Sequence, residues 1–230
     1  MSIAKLQQNL TDRGYDVGIV DGKLGARTFQ GLAEYVSGGV APDGTGGLIA
    51  LDARGVLVDR LHFIHFFAQI SHESGFRPRE ENLNYSIDGL VKTFPGRITA
   101  AQARKIGRTG TQRADKEAIG NTVYGGEWGK KNLGNVEPGD GYKYRGRGMI
   151  QLTGRANYAA LGAAYELNPD LLLTPAGSMR AAIEFWKSRK INVPAAKDDV
   201  KAVTKLINGG SNGLAERIAL TDKLKAIWPA

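Results

Sequence analysis

Residues 59–74 constrain the fold more than any other stretch. Read at about 100° per residue, "DRLHFIHFFAQISHES" puts Leu61, Ile64, Phe67, Ala68, Ile70 and Ser71 on one broad apolar side. His62, His65, Gln69, His72 and Glu73 gather within about one third of the circumference. A helix this apolar has to be buried. Its single polar stripe is what a core helix shows where it borders a cleft, so the chain is expected to be mainly α and built around this helix.

Other helices are predicted near 3–13, 26–36, 152–165, 175–189, 198–208 and 214–227, and strand signals are thin. Between them lie two glycine-rich stretches. "SGGVAPDGTGG" carries five glycines and a proline, which predicts a linker over 41–58 and a boundary between a small helical segment, 1–40, and a larger domain, 59–230. Residues 121–148 hold eight glycines and Pro138, which predicts a long irregular loop of the functional kind.

With 230 residues the chain is long enough for one well-buried domain and a small module. No window approaches the roughly 18 apolar residues that would span a bilayer. The N-terminus lacks the apolar core of a secretory signal, so synthesis in the cytoplasm is expected. There is no cysteine, which excludes a disulfide framework, a thiolate nucleophile and a Cys-based zinc site. Lys and Arg total 31 against 23 Asp and Glu, a net charge of +8, which suits an anionic partner such as a cell-wall polymer. A nucleic-acid partner is not expected, because no recognition-helix pattern or interleaved aromatics accompany the charge.

Several chemistries compete for the end of the helix at 59–74. The three histidines share the polar stripe, but "HESGF" puts Phe76 where a second zinc-ligating histidine would stand, and His65 and His72 lie roughly 10 Å apart along the axis. No metal is expected. No G-x-S-x-G elbow supports a serine nucleophile, and "RGRGMIQ" lacks the third glycine of a nucleotide-binding turn. Paired carboxylates remain, as glycosidic bond cleavage requires. Glu73 follows an apolar run, where desolvation would keep its proton on. Glu80 and Glu81, on a loop eight residues later, are expected to be more solvated and ionised. On spacing alone, Glu73 as a mere helix end and Glu80 and Glu81 as solvated charges stay equally open.

Five stretches occurring in order narrow the choice: "FFAQISHESGF", "ENLNYS", "IGNTVYGG", "GDGYKYRGRGMIQLTGRANY" and "INGGSNGLAER". Together they resemble the catalytic domain of glycoside hydrolase family 19, the chitinase-like lysozymes, in the form found in bacteriophage endolysins, from about residue 60 to the C-terminus. The resemblance implies a mainly α, lysozyme-like fold and an inverting attack of water on peptidoglycan glycan strands, without cofactor. It implies a monomer that is held in the host cytoplasm until lysis and does not insert into the membrane. It makes Glu73 the general acid, Glu81 the general base and Thr153 the residue that helps hold the water. Gln151 and Asn157 would bind the N-acetyl sugars, with His72 beside the acid, and Asn208 and Arg217 would form a second cluster near the base. Each has a plainer rival: Thr153 as a helix cap, Asn208 as a turn residue, Arg217 as a counter-ion, His72 as packing. Arg145 and Arg147 could draw in an anionic glycan or be solvated charges.

Two features depart from the pattern. Many relatives read "HESGGF", so "HESGF" is one residue shorter between acid and base, and Glu80 stays open beside Glu81. "GEWGKKNLGNVEPGDG" also looks longer than the usual loop. Separately, "LQQNLTDRGYDVGIVDGKLGARTFQGLAEYV" resembles part of the small helical peptidoglycan-binding repeat, which leaves wall anchoring and a purely structural lobe as its two readings.

Overall fold

The structure, a computed structural model, describes residues 2–230. It is mainly helical, with α1 (Ile3–Thr11), α2 (Ala26–Ser37), α3 (Thr45–Asp52), α4 (Arg60–Ser74), α5 (Ile87–Thr93), α6 (Ala100–Ile106), α7 (Lys116–Val123) and α8 (Gly126–Leu133). There follow α9 (Asp140–Lys143), α10 (Arg155–Leu161), α11 (Ala163–Leu167), α12 (Pro175–Ser188), α13 (Asn192–Ala195), α14 (Val200–Asn208) and α15 (Leu214–Ile227). The strands β1 (Arg79–Glu80) and β2 (Arg147–Gly148) pair antiparallel, Arg79 with Gly148 and Glu80 with Arg147. Among the described residues no helix is long and apolar enough to cross a membrane. The chain forms two compact units, one of residues 1–78 and 174–230, the other of residues 79–173.

In the first unit α4 is the central helix. Asp59 caps its start by accepting from the His62 N–H, and Gly75, left-handed at φ 61°, ends it. From His62 to Ile70 every residue is buried. Phe66 meets Trp186 edge-on at 5.4 Å, and Phe63 stacks on Phe29 at 5.2 Å. The polar stripe of α4 is an internal seam and not a cleft border. His62 pairs with Asp59 at 3.1 Å, and His65 meets Asp198 at 2.9 Å. Gln69 lies between Thr204 and Arg217. Only its last turn, at His72 and Glu73, is partly exposed. Burial lowers the pKa of His65, so its contact with Asp198 is that of a neutral ring.

The stretch 41–58 is not a linker, because α3 forms within it and packs on α2 and α12. Its glycines permit that contact: a Cβ on Gly46 would overlap the Ala26 carbonyl and the Gln30 backbone. Residues 1–40 likewise belong to the same unit as α4. Asn9 donates to the Ile227 carbonyl at 2.8 Å, and Lys223 to that of Tyr35 at 2.7 Å.

The second unit has its own core of Leu83, Leu90, Phe94, Ile98, Ala103, Ile119 and Val123. The long loop expected at 121–148 is replaced by the end of α7, by α8 and α9, and by β2. Here too glycine serves close packing. A Cβ on Gly141 would strike the Gly120 carbonyl, so α7 and α9 touch backbone to backbone. The helix expected over 152–165 is interrupted at Gly162, whose φ of 122° no helix holds.

Candidate active site

Glu73 ends α4 in the first unit. Its side chain is 18% exposed and accepts from the Arg217 guanidinium at 2.5 Å. Arg217, on the first turn of α15, is 2% exposed and also donates to the Gln69 side-chain carbonyl. The charged neighbour of Glu73 is therefore a guanidinium, where the sequence predicted an apolar wall. The 208–213 turn holds that guanidinium in place. Asn208 donates to the Asn212 carbonyl at 2.9 Å and accepts from the Gly210 N–H at 2.9 Å, and the same Asn212 carbonyl accepts from Arg217 Nε at 3.3 Å. Asn208 is thus the turn residue of its plainer reading. With Arg217 it forms a cluster around Glu73 in the first unit. The His72 ring packs against Gly213, where any Cβ would run into it. Burial and then the Arg217 charge lower its pKa and keep it neutral.

Gly75 is followed by a second left-handed residue, Phe76, at φ 63°. A large side chain rarely adopts this conformation. Phe76 is nevertheless fully buried, 5.6 Å from the Phe67 ring. Burial of the ring offsets the strain, and the chain turns out of α4 without the additional glycine of "HESGGF".

Glu80 and Glu81 begin the second unit and differ sharply. Glu80 lies on β1 and is gripped by Arg145 and by Arg147 Nε at 3.3 Å. Arg147, nearly buried, also meets Asp170 at 3.2 Å and the Lys143 carbonyl at 2.6 Å. Arg145 is neutralised by Glu80 and lies over the Tyr142 ring at 3.9 Å. Neither arginine is a solvated charge, and Glu80 is their counter-ion.

Glu81 meets no cation within ion-pair range among the described residues, but two neutral donors hold it: the Tyr124 hydroxyl at 2.7 Å and the Gly146 N–H at 3.3 Å. Its own N–H donates back to the Gly146 carbonyl at 2.8 Å. Burial raises its pKa, opposed by the Tyr124 hydrogen bond, the Gly146 N–H and the charges of Arg145 and Arg97. The expectation that the loop carboxylate would be well solvated is corrected. β1–β2 pairing pulls this loop against the backbone of Gly146, and Tyr124 covers it. Burial and Glu81 together push the Tyr124 phenol up, so it remains a donor.

Of the remaining residues named from the resemblance, Gln151 lies beside Glu81, and Thr153 and Asn157 follow it along the chain. Gln151, left-handed at φ 52°, donates to the Arg79 and Gly148 carbonyls at 2.9 and 3.0 Å. Its side-chain oxygen borders Gly146 together with the Glu81 carboxylate. The Thr153 hydroxyl donates to the Gln151 carbonyl at 3.1 Å and does not cap α10, whose N-cap is Gly154. Asn157 donates to the Thr153 carbonyl at 2.7 Å. The first unit thus collects His72, Glu73, Asn208 and Arg217, and the second Glu81, Gln151, Thr153 and Asn157. Tyr124 was not singled out from the sequence, although it lies within "IGNTVYGG". Among the described residues no cluster of three His, Asp or Glu could hold a metal ion.

No family model matches the chain. It is similar to a glycosyl hydrolase family 19 domain-containing protein of Haemophilus influenzae, 38% identical over 177 residues that cover 71% of this chain and 78% of that protein. It is also similar to chitinase 8 of Oryza sativa, 33% identical over 123 residues, 43% of this chain and 47% of the relative. An acidic endochitinase of Petunia hybrida is 35% identical over 130 residues, 50% of each chain. The chain therefore spans about half the length of these two plant relatives.

Proposed function

Because the chain belongs to glycosyl hydrolase family 19, we propose that it hydrolyses β-1,4 glycosidic bonds of bacterial peptidoglycan as an endolysin of the muramidase type. Its mainly helical architecture is the lysozyme-like fold of that family. The observation that supports the mechanism best is that the two carboxylates of the resemblance each end on a donor set of their own: Glu73 on Arg217, and Glu81 on Tyr124 and Gly146.

In this reading Glu73 gives its proton to the leaving glycosidic oxygen, and Arg217 stabilises the carboxylate that remains. Glu81 takes a proton from the water that attacks the anomeric carbon on the opposite face, which inverts its configuration. Raised basicity suits that task, because a stronger base moves a proton more readily while it stays ionised at the working pH. Tyr124 and Gly146 hold one carboxylate oxygen each and fix the direction of the base. Thr153 helps to hold the water, and Gln151 and Asn157 bind the N-acetyl sugars. The product pair leaves Glu73 ionised and Glu81 protonated, and exchange with solvent resets both.

Peptidoglycan is favoured by the bacterial relative and by the net charge of +8, which suits an anionic wall. Retention in the host cytoplasm until lysis and action as a monomer belong to the same proposal. So does wall attachment by residues 1–40, whose exposed Ile19 and Val20 lead into the Asp21 turn. A chitinase acting on N-acetylglucosamine polymers is the second reading, motivated by the plant relatives. Incubation with purified sacculi and with soluble chitin oligomers separates the two. Muropeptides ending in reducing muramic acid, released with inverted anomeric configuration, are the expected result. Sacculi left uncut while chitin oligomers are cleaved would select the second reading, and loss of neither substrate would reject both.

A further inference from the structure

Arg97 stands out among the cations near Glu81. Arg145 and Arg147 are both spoken for by Glu80, whereas Arg97 enters no ion pair among the described residues. Three aromatic rings hold its guanidinium instead: Trp128 at 4.3 Å, Phe94 at 5.0 Å and Tyr124 at 6.0 Å. The three rings restrain the group, and among the described residues no acceptor takes its N–H donors. Phe94 is part of the unit's core and meets Tyr124 edge-on at 5.8 Å, so the cradle rests on a rigid base. Trp128, by contrast, remains 40% exposed. Through Tyr124 the cradle is one side chain away from the Glu81 carboxylate.

A restrained, unneutralised guanidinium that remains partly exposed is prepared for one kind of ligand, a carboxylate that accepts two parallel hydrogen bonds. Chitin carries none. Peptidoglycan carries carboxylates on the side arm of every muramic acid, either on the lactyl ether of a bare strand or on the attached acidic peptide. We propose that Arg97, cradled by Phe94, Tyr124 and Trp128, is a specificity residue that reads the side-arm carboxylate of a muramic acid sugar. This assignment rests on the peptidoglycan reading given above. It names what within the second unit would distinguish that polymer from a neutral one. Trp128 lies in "GEWGKKNLGNVEPGDG", so the stretch that looks longer than usual also completes the cradle.

The test compares kcat/KM of the native protein, Arg97→Gln and Arg97→Lys on two polymers: intact sacculi, and glycan strands stripped of peptide. Each is used before and after its carboxylates are converted to methylamides. The native protein should prefer the unmodified form by about tenfold, the size of one charge-assisted contact at a partly exposed site. Arg97→Gln should abolish that preference, and Arg97→Lys should keep part of it. Preference confined to stripped strands assigns the lactyl carboxylate, and preference confined to sacculi assigns the peptide. A purely structural Arg97 would lower all rates together and leave the ratio unchanged, which would overturn the inference. A native protein that cleaves every form equally would do the same. A native protein that cleaves none of them would instead reject the peptidoglycan reading on which the inference depends.

Discussion

The surroundings of Glu73 and Glu81 differ in the opposite sense from what their sequence neighbourhoods suggest. Glu73 follows the most apolar run in the chain, yet its carboxylate ends on a nearly buried arginine. Glu81 follows three charged residues and a proline, yet it is held by a phenol and a backbone N–H, with burial raising its pKa. An apolar helix says where most of its side chains go, but its last turn belongs to whatever packs beside it, here Arg217 of α15. A charged loop is solvated only while nothing covers it, and β1–β2 pairing with Tyr124 covers this one. In the proposed mechanism the guanidinium would stabilise the charge left on Glu73 after proton transfer, and burial would make Glu81 a stronger base than an ordinary carboxylate.

Removing each carboxylate in turn gives the largest test of this contrast. Glu73→Gln and Glu81→Gln should each lower turnover of sacculi by about a thousandfold, the usual scale for loss of a general acid or base. Activity retained by either variant would break its assignment.

The same two variants should move stability in opposite directions. Glu73→Gln replaces the oxygen that accepts from the buried Arg217 guanidinium with a weaker amide acceptor and should cost about 1 kcal/mol in urea unfolding. The pKa of Glu81 is raised by folding, so its ionised form opposes the folded state above that pKa and ceases to do so below the unfolded value. Glu81→Gln should therefore raise the melting temperature at neutral pH, and the gain should fade as pH falls through the raised pKa. A common sign for both variants would mean that the two environments are not as different as described.

A smaller effect isolates the phenol. Tyr124→Phe removes a hydrogen bond that lowers the pKa of Glu81, so that pKa should rise further. The acid limb of kcat/KM against pH should then move to higher pH. An unmoved limb would show that Glu81 does not set it. The smallest effect is expected for Glu80→Gln, because Arg147 retains Asp170 and the Lys143 carbonyl. Turnover should stay within about threefold of native, as for other substitutions of partly exposed ion pairs. A loss as deep as that of Glu81→Gln would return Glu80 to candidacy as the base.

Much of the first unit was legible. The helices predicted at 26–36, 175–189, 198–208 and 214–227 match α2, α12, α14 and α15 closely, and α2 and α14 carry a strong apolar period that ends on a glycine. Glycine was misread twice, at 41–58 and at 121–148. Composition cannot tell a glycine that loosens a loop from one that lets two backbones touch, and Gly46 and Gly141 are of the second kind. The candidate site residues were named by resemblance, while Tyr124, which holds Glu81, was not singled out although it lies inside a quoted stretch. Arg217 was named, but its ion pair with Glu73 is legible only in the structure. Arg97 lies outside every quoted stretch and has no local pattern that announces it.

The sequence by itself determined the helical class, the central helix at 59–74 and the residue types available for acid–base chemistry, since these depend on local periodicity and composition. Tertiary structure alone decided which carboxylate meets an arginine, which is desolvated, and which of Glu80 and Glu81 is tied up in ion pairs. Those outcomes depend on contacts between residues far apart in the chain. A carboxylate's chemistry is set by the few groups within hydrogen-bonding reach and by the water they exclude, and neither is encoded in its neighbours along the sequence.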